Sequence, residues 1–231
     1  MHVSPHPDDE ALGAPGTLLL LRRAGWQVVN AVVSLGRTDQ RERRRAEAMD
    51  AAQRAGFVLV LPHEPFAIST GDHLASVEPL IAAWLARVLA DERPALVVSP
   101  SPHDAHPGHE VVARATRAAI ERMHDPVPWW TWGLWADLPA PNVYVPFDDD
   151  VLTEARHLLG AHEGELARND YTRLLEARAV ANAVLGSERV FGFGTARAST
   201  APYAEVIADH RFADGAWKPG PTRVFDPENP T

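Results

Sequence analysis

The chain has 231 residues, with 22 lysines and arginines against 31 aspartates and glutamates, and the resulting charge of −9 argues against a nucleic-acid partner, which wants a basic face. It contains no cysteine, so disulfides and thiolate metal sites are excluded and any metal must be held by histidine and carboxylate. No apolar run approaches the ~20 residues of a membrane span and no signal peptide is visible, which predicts a cytoplasmic protein with no membrane partner.

Residues 1–5 form a short apolar lead-in to His6-Pro7-Asp8-Asp9-Glu10, which runs into Ala11-Leu12-Gly13. One imidazole and three carboxylates thus share a strand-to-helix turn. The lead-in is short for a strand, which leaves room for residues missing ahead of Met1. Residues 17–24 read as helix, stopped by Gly25, and residues 26–34 as a buried, β-branched strand. Thr38 or Asp39 caps a charged helix through Arg54, ended by Gly56, with Ala46, Met49, Ala52 and Ala55 at helical spacing. A strand over 57–61, a loop over 62–72 and a helix over 74–92 follow, the helix with an apolar stripe of Val77, Leu80, Ile81, Trp84 and Val88. Residues 95–99 read as the next strand.

A second histidine-rich turn comes next, Pro100-Ser101-Pro102-His103-Asp104-Ala105-His106-Pro107-Gly108-His109-Glu110, and leads into a helix over 111–123. Residues 126–139 hold four tryptophans, Trp129, Trp130, Trp132 and Trp135, read as core and loop packing with one ring available to a sugar face. A strand over 142–147, a helical segment over 148–167, a helix over 173–185 and a strand over 203–208 complete the pattern. Strands alternating with helices at this pitch predict an α/β fold with a mostly parallel sheet built from βαβ units, in one domain over 1–231.

In a parallel sheet both histidine-rich turns lie at the carboxyl ends of their strands, where open α/β folds bind ligands. His6 and Asp9, three residues apart, can face one point and suit a zinc ion, while the neighbouring carboxylate stays free to act as a base. Fe(II) binds the same ligand types. Two ligands do not make a stable site, so the second turn must supply a third. Plainer alternatives stand beside this one. His6-x-x-Asp9 can be a helix-capping turn, His103, His106 and His109 can be loop histidines, and Arg44 can lie on the solvated face of Arg41-Glu42-Arg43-Arg44-Arg45. Gly13-Ala14-Pro15-Gly16 lacks G-x-G-x-x-G, but keeps open a Rossmann-like ligand-binding protein without catalysis.

Residues 5–13, with His6-Pro7-Asp8-Asp9-Glu10, resemble the HPDDE motif of the PIG-L / LmbE-like family of zinc-dependent N-deacetylases. His106-Pro107-Gly108-His109 is similar to that family's HPDH motif, and Arg44-Arg45-Ala46-Glu47 to its R-x-x-E. The resemblance implies a Rossmann-like fold and zinc-assisted hydrolysis of an acetamide on a small-molecule N-acylated sugar or glycoconjugate. It implies zinc ligands at His6, Asp9 and His109, a general base at Asp8, and a protonated His106 that stabilises the oxyanion, worth ~3–4 kcal/mol. Arg44, Asp104 and Trp132 are the candidate substrate contacts. Two positions depart from the family pattern. Gly108 stands where the second motif has an aspartate that orients the histidines, a function Asp104 can take over. His162-Glu163-Gly164-Glu165 replaces H-x-S-Q, which leaves room for another amide or ester as substrate.

Overall fold

The computed structural model describes residues 1–68 and 73–229, so the last part of the expected 62–72 loop lies outside the described residues. Strands β1 (His2–Ser4), β2 (Val29–Val32), β3 (Val58–Val60), β4 (Val97–Pro100) and β5 (Trp129–Trp132) run parallel in the order β3-β2-β1-β4-β5. From β1 the chain moves outward through β2 to β3, then crosses back to place β4 on the other side of β1. The strand order therefore reverses between β1 and β4. This is the topological switch point of a doubly wound sheet, whose crevice at the carboxyl ends takes ligands. The two histidine-rich turns leave these two strands.

β6 (Val143–Phe147), β7 (Tyr203–Ala213), β8 (Ala216–Pro219) and β9 (Arg223–Val224) extend the sheet to nine strands among the described residues. β7 runs antiparallel to β5, β6 and β8, and β9 pairs parallel with β6. Asp214 and Gly215, both at positive φ (55° and 73°), turn β7 into β8. β5, β8 and β9 were not expected from the sequence, and β7 runs past the expected 203–208. Trp129-Trp130-Thr131-Trp132 carries no polar alternation because both faces are covered: Trp129 packs into one apolar core and Trp130 and Trp132 into the other.

Helices cover both faces. α4 (Leu74–Glu92) and α5 (Pro107–Ile120) pack on one side against Val3, Ala31, Val33 and Val97. α1 (Asp9–Leu12), α2 (Pro15–Arg23), α3 (Arg41–Ala55), α6 (Asp149–Leu159) and α8 (Tyr171–Phe191) contribute to the other core with Val28, Val98, Val143 and Val145. Of the expected α3 stripe, Ala52 and Ala55 are buried but the first turns differ. Ala46 and Met49 are exposed, and the inward row is Arg44, Ala48, Ala51 and Ala55, spaced i, i+4, i+7 and i+11. In α4, Leu80 likewise faces outward while Ile81, Leu85 and Leu89 are buried. The helical segment over 148–167 is two helices, α6 and α7 (Glu163–Leu166), interrupted where His162 turns inward. No helix among the described residues is long and apolar enough to cross a membrane.

Helix α2 starts at Pro15 without a side-chain cap from its own flank. Glu205 on β7, almost fully buried, closes this end. Its carboxylate accepts from the Gly16 amide (2.7 Å), the Thr17 amide (2.8 Å) and the Thr17 hydroxyl (2.6 Å). Burial pushes its carboxyl up, and these donors offset part of that. Replacing Glu205 by Ala leaves the α2 amides unpaired and is expected to lower unfolding free energy by about 2–3 kcal/mol in urea denaturation. Unchanged stability would show that α2 does not depend on this cap.

Candidate active site

The first turn is tightly wound. Asp8 sits at φ 113°, a left-handed conformation that a non-glycine residue adopts only when its surroundings enforce it. The His6 amide donates to Asp9 Oδ2 (2.7 Å) and the Asp8 amide to Glu10 Oε2 (3.2 Å), so two carboxylates of the motif also close its own backbone. Glu10 points away from the crevice and pairs with His162 Nε2 at 2.7 Å, both side chains fully buried. Burial alone would push Glu10 up, but His162 holds it below the usual range, and Glu10 in turn raises His162 against its own desolvation. His162 therefore keeps a role as an inward anchor of the first motif, although the residues after it depart from the family pattern.

The second turn brings His109 to the same point. Ligand atoms of His6, Asp9 and His109 all lie within 4.8 Å of one another. Asp9 Oδ1 is 3.3 Å from His109 Nε2 and Asp9 Oδ2 is 3.5 Å from His6 Nδ1. With one carboxylate between two imidazoles, all within reach of one point, this nitrogen–oxygen donor set suits a divalent ion such as zinc. Asp104, expected as a substrate contact, is completely buried behind His109. Its Oδ2 pairs with His109 Nδ1 at 2.7 Å and fixes which ring nitrogen faces the crevice. Its Oδ1 accepts from the amides of Leu134 (2.5 Å), Trp135 (3.0 Å) and Ala136 (3.4 Å). Asp104 thus supplies the orienting carboxylate that Gly108 lacks. A Cβ at Gly108 would already lie 3.0 Å from the Ile68 carbonyl and 3.2 Å from His106.

The charges are strongly coupled. Burial would lower His109, but Asp9 and Asp104 push it up to about 10, so an ion here must displace a proton. Asp9, also desolvated, is pulled well below the usual carboxylate range by His109 and His6. Asp8 goes the other way: burial and its neighbour Asp9 raise it well above that range. His106 is lowered to about 4, first by burial and then by His109 and His6, against the protonated form that the family resemblance implies for it. Its Nδ1 accepts the His109 amide (3.4 Å) as the cap of α5, which leaves Nε2 as the N–H of the neutral ring.

These groups line an open cleft of about 570 Å³ together with Arg44, Trp135, Ile68, Glu165 and Tyr171. Arg44 is not on a solvated face. It is buried, donates to the Pro7 carbonyl (3.1 Å), and lies 3.7 Å from Asp8 and 3.4 Å from Glu165. Trp132, the other expected substrate contact, does not line the cleft. It is 1% exposed, its ring is locked against Gly13, where any Cβ would collide with it, and its N–H donates to His2 Nε2 (3.1 Å). It forms a wall edge-on behind His109 at 5.5 Å. The ring in the cleft is Trp135, 51% exposed and stacked on His106 at 5.9 Å. The signal that separates them is the strand end: Trp129 to Trp132 lie within β5 and are buried, while Trp135 lies beyond it, after Gly133.

Residues 1–120 match a family described as PIG-L, GlcNAc-PI de-N-acetylase. The chain belongs to this family. An alignment of 139 positions is 29% identical to a probable N-acetyl-alpha-D-glucosaminyl L-malate deacetylase 2 of Bacillus cereus; it takes in 52% of this chain and spans 60% of that relative's length. Among solved structures, the antimicrobial reagent A40926 pseudoaglycone deacetylase Dbv21 superposes with a TM-score of 0.70 at 19% identity, covering 89% of this chain and 94% of its own. GalB, a 4-carboxy-2-hydroxymuconate hydratase of Pseudomonas putida KT2440, gives 0.63 at 18% identity over 90% and 94%. At such identities both show a shared fold alone. The PIG-L match covers both histidine-rich turns and the arginine-rich start of α3.

Asp104 and Trp132 make separable predictions. Asp104→Ala frees the His109 ring and is expected to weaken metal binding by ~10–100-fold, read by competition with a chromogenic chelator; an unchanged affinity would show that the packing around His109 suffices. Trp132→Ala opens a cavity in the core and is expected to cost about 3–5 kcal/mol of stability, whereas Trp135→Ala leaves the melting temperature near that of the native chain. A stable Trp132→Ala protein would contradict the packing described.

Proposed function

We propose that this chain is a zinc-dependent hydrolase that removes an N-acetyl group from an amino sugar or glycoconjugate. The observation that carries the proposal is the convergence of His6, Asp9 and His109 on one point of the cleft, with the carboxylate of Asp8 and the ring of His106 beside it. PIG-L membership and the B. cereus relative support acetamide hydrolysis on an N-acetylglucosaminyl compound. The cleft has the volume that sites for small ligands usually have, about 300–1,000 Å³.

His6, Asp9 and His109 would hold the ion. When bound, zinc supplies a water nucleophilic at neutral pH and a Lewis acid for the carbonyl oxygen. Asp8 is the base. Its carboxyl is raised by burial and by Asp9, so it can take a proton from water and later hand it to the departing amine. Arg44, 3.7 Å from one Asp8 oxygen, holds that carboxylate in place. His106 offers Nε2–H to the charge that develops on the acetamide oxygen. As a neutral donor it needs no added proton, and its ring is fixed from both sides by the His109 amide and Trp135. Trp135 provides a face for a sugar ring at the mouth of the cleft.

Acetate release from zinc-loaded protein tests the proposal, with methyl N-acetylglucosaminide and an N-acetylglucosaminyl malate as substrates. Asp9→Ala is expected to lose both metal and activity. Asp8→Asn is expected to keep the metal and lower kcat by ~10²–10⁴-fold. Zinc-loaded protein that releases acetate from neither compound would overturn the assignment and favour a ligand-binding protein.

A further inference from the structure

Helix α8 is apolar on two faces. Leu175, Ala179, Ala183 and Val190 are buried on the side of β6 and β7. The opposite face carries Ala177, Val180, Ala181, Val184 and Leu185, spaced i, i+3, i+4, i+7 and i+8, and all five are exposed. Among the described residues nine large apolar side chains are exposed, and four of them, Val180, Val184 (71%), Leu185 and Phe193 (95%), belong to this helix and the turn that follows it. Apolar residues exposed singly are ordinary, but a contiguous patch at helical spacing marks a surface that takes a partner.

Phe193 is held out by a built turn. It lies just past the helix end between Gly192 and Gly194, both at positive φ (105° and 84°), a conformation that only glycine takes readily. The Gly194 amide donates to Glu188 Oε1 (3.2 Å) and the Thr195 amide to the Gly192 carbonyl (3.1 Å). These bonds fix the ring beyond the helix end.

The face is complementary to itself. Arg173 precedes the apolar stripe and is exposed, with no carboxylate partner among the described residues. Glu188 follows the stripe and has no cationic partner among them. A second α8, turned end for end about a two-fold axis between positions 180 and 181, brings Arg173 opposite Glu188, Ala177 opposite Val184 and Val180 opposite Ala181. Each larger side chain then meets a smaller one, and each charge meets its opposite, along a seam about 22 Å long. In the same register Phe193 reaches the start of the other α8, where Leu166, Arg168, Asn169 and Thr172 surround a surface hollow of about 370 Å³. A parallel pairing would instead set arginine against arginine and glutamate against glutamate.

We propose that two copies of this chain associate through the outward face of α8, antiparallel about a two-fold axis, with each Phe193 seated at the start of the other copy's α8. The proposal is independent of the deacetylase assignment.

A seam of this length is at the small end of specific interfaces, so the dimer is expected to dissociate on dilution between ~100 and ~1 µM. Sedimentation velocity of the full chain over that range should show a change from two chains of 25.2 kDa to one. Val184→Glu should weaken association about tenfold or more by burying a charge in the seam, and should leave the melting temperature unchanged because the side chain is exposed in the single chain. Phe193→Ser should weaken association as well, and because it lies outside the helix it stands in if Val184→Glu fails to fold. Arg173→Glu and Glu188→Arg should each weaken self-association about tenfold, since both symmetry-related pairs become like-charged. An equimolar mixture of these two variants should regain native association, because each then meets its opposite. A native chain that stays single throughout overturns the proposal, as does a dimer indifferent to both Val184→Glu and Phe193→Ser. A mixture that fails to regain association overturns the antiparallel arrangement.

Discussion

The site depends on what the Asp104 carboxylate holds. With one oxygen it fixes the His109 ring, and with the other it gathers three consecutive amides of the segment that follows β5. Two parts of the chain meet there: the β4 turn as it runs into α5, and the segment that carries Trp135. Such a carboxylate cannot be fully buried without several donors to replace its water. The cleft-facing nitrogen of His109 and the position of Trp135 at the cleft mouth are thereby consequences of one desolvated group. Arg178 adds a brace from α8 by donating to the Gly133 carbonyl at 2.7 Å.

The same economy governs the first turn. Asp9 closes the backbone through the His6 amide and faces two imidazoles with its remaining capacity, while Glu10 is turned inward to His162. Three consecutive carboxylates would repel one another in a dry site. They are separated here by direction: one toward the arginine of α3, one toward the histidines, one toward the core. The strained backbone of Asp8, at φ 113°, makes that separation possible. Opposite shifts of adjacent acids follow from the geometry, Asp9 being lowered by its histidines and Asp8 raised by burial and by Asp9. A pair of neighbouring groups driven apart in this way is what acid–base chemistry at neutral pH requires.

The parallel sheet and the two turns were legible in the sequence because their signals are local. A short β-branched run, a proline-rich turn and an amphipathic helix each announce themselves within a dozen residues, and α4 begins and ends where its pattern does. Less legible was whatever depended on contacts made later. The Trp129–Trp132 strand has no polar alternation, because antiparallel β7 on its far side and helices on both faces bury it completely. Arg44 looked like part of a solvated charge run, since periodicity alone cannot tell that Ala48, Ala51 and Ala55 continue its row inward. Trp132 and Trp135 differ by three positions and by opposite fates, and only the end of the strand separates them. Asp104 was visible as a carboxylate near His106, but its partners at 134–136 lie beyond any local pattern.

Fold likeness does not decide the reaction in this family of shapes, since a hydratase superposes nearly as well as a deacetylase. What distinguishes a site is which groups are committed and which are not. The charged side chains around this cleft are largely paired within the protein: behind its walls Glu10 with His162 and Asp104 with His109, and in its lining Glu165 with Arg44 and Arg168. Burial and Asp9 keep Asp8 raised despite the nearby arginine. The groups left with unused capacity are the facing atoms of His6, Asp9 and His109 and the outer nitrogen of His106, an acceptor set for a cation with a polar donor beside it. A ligand that satisfied them would bring a divalent ion and a polar oxygen next to it.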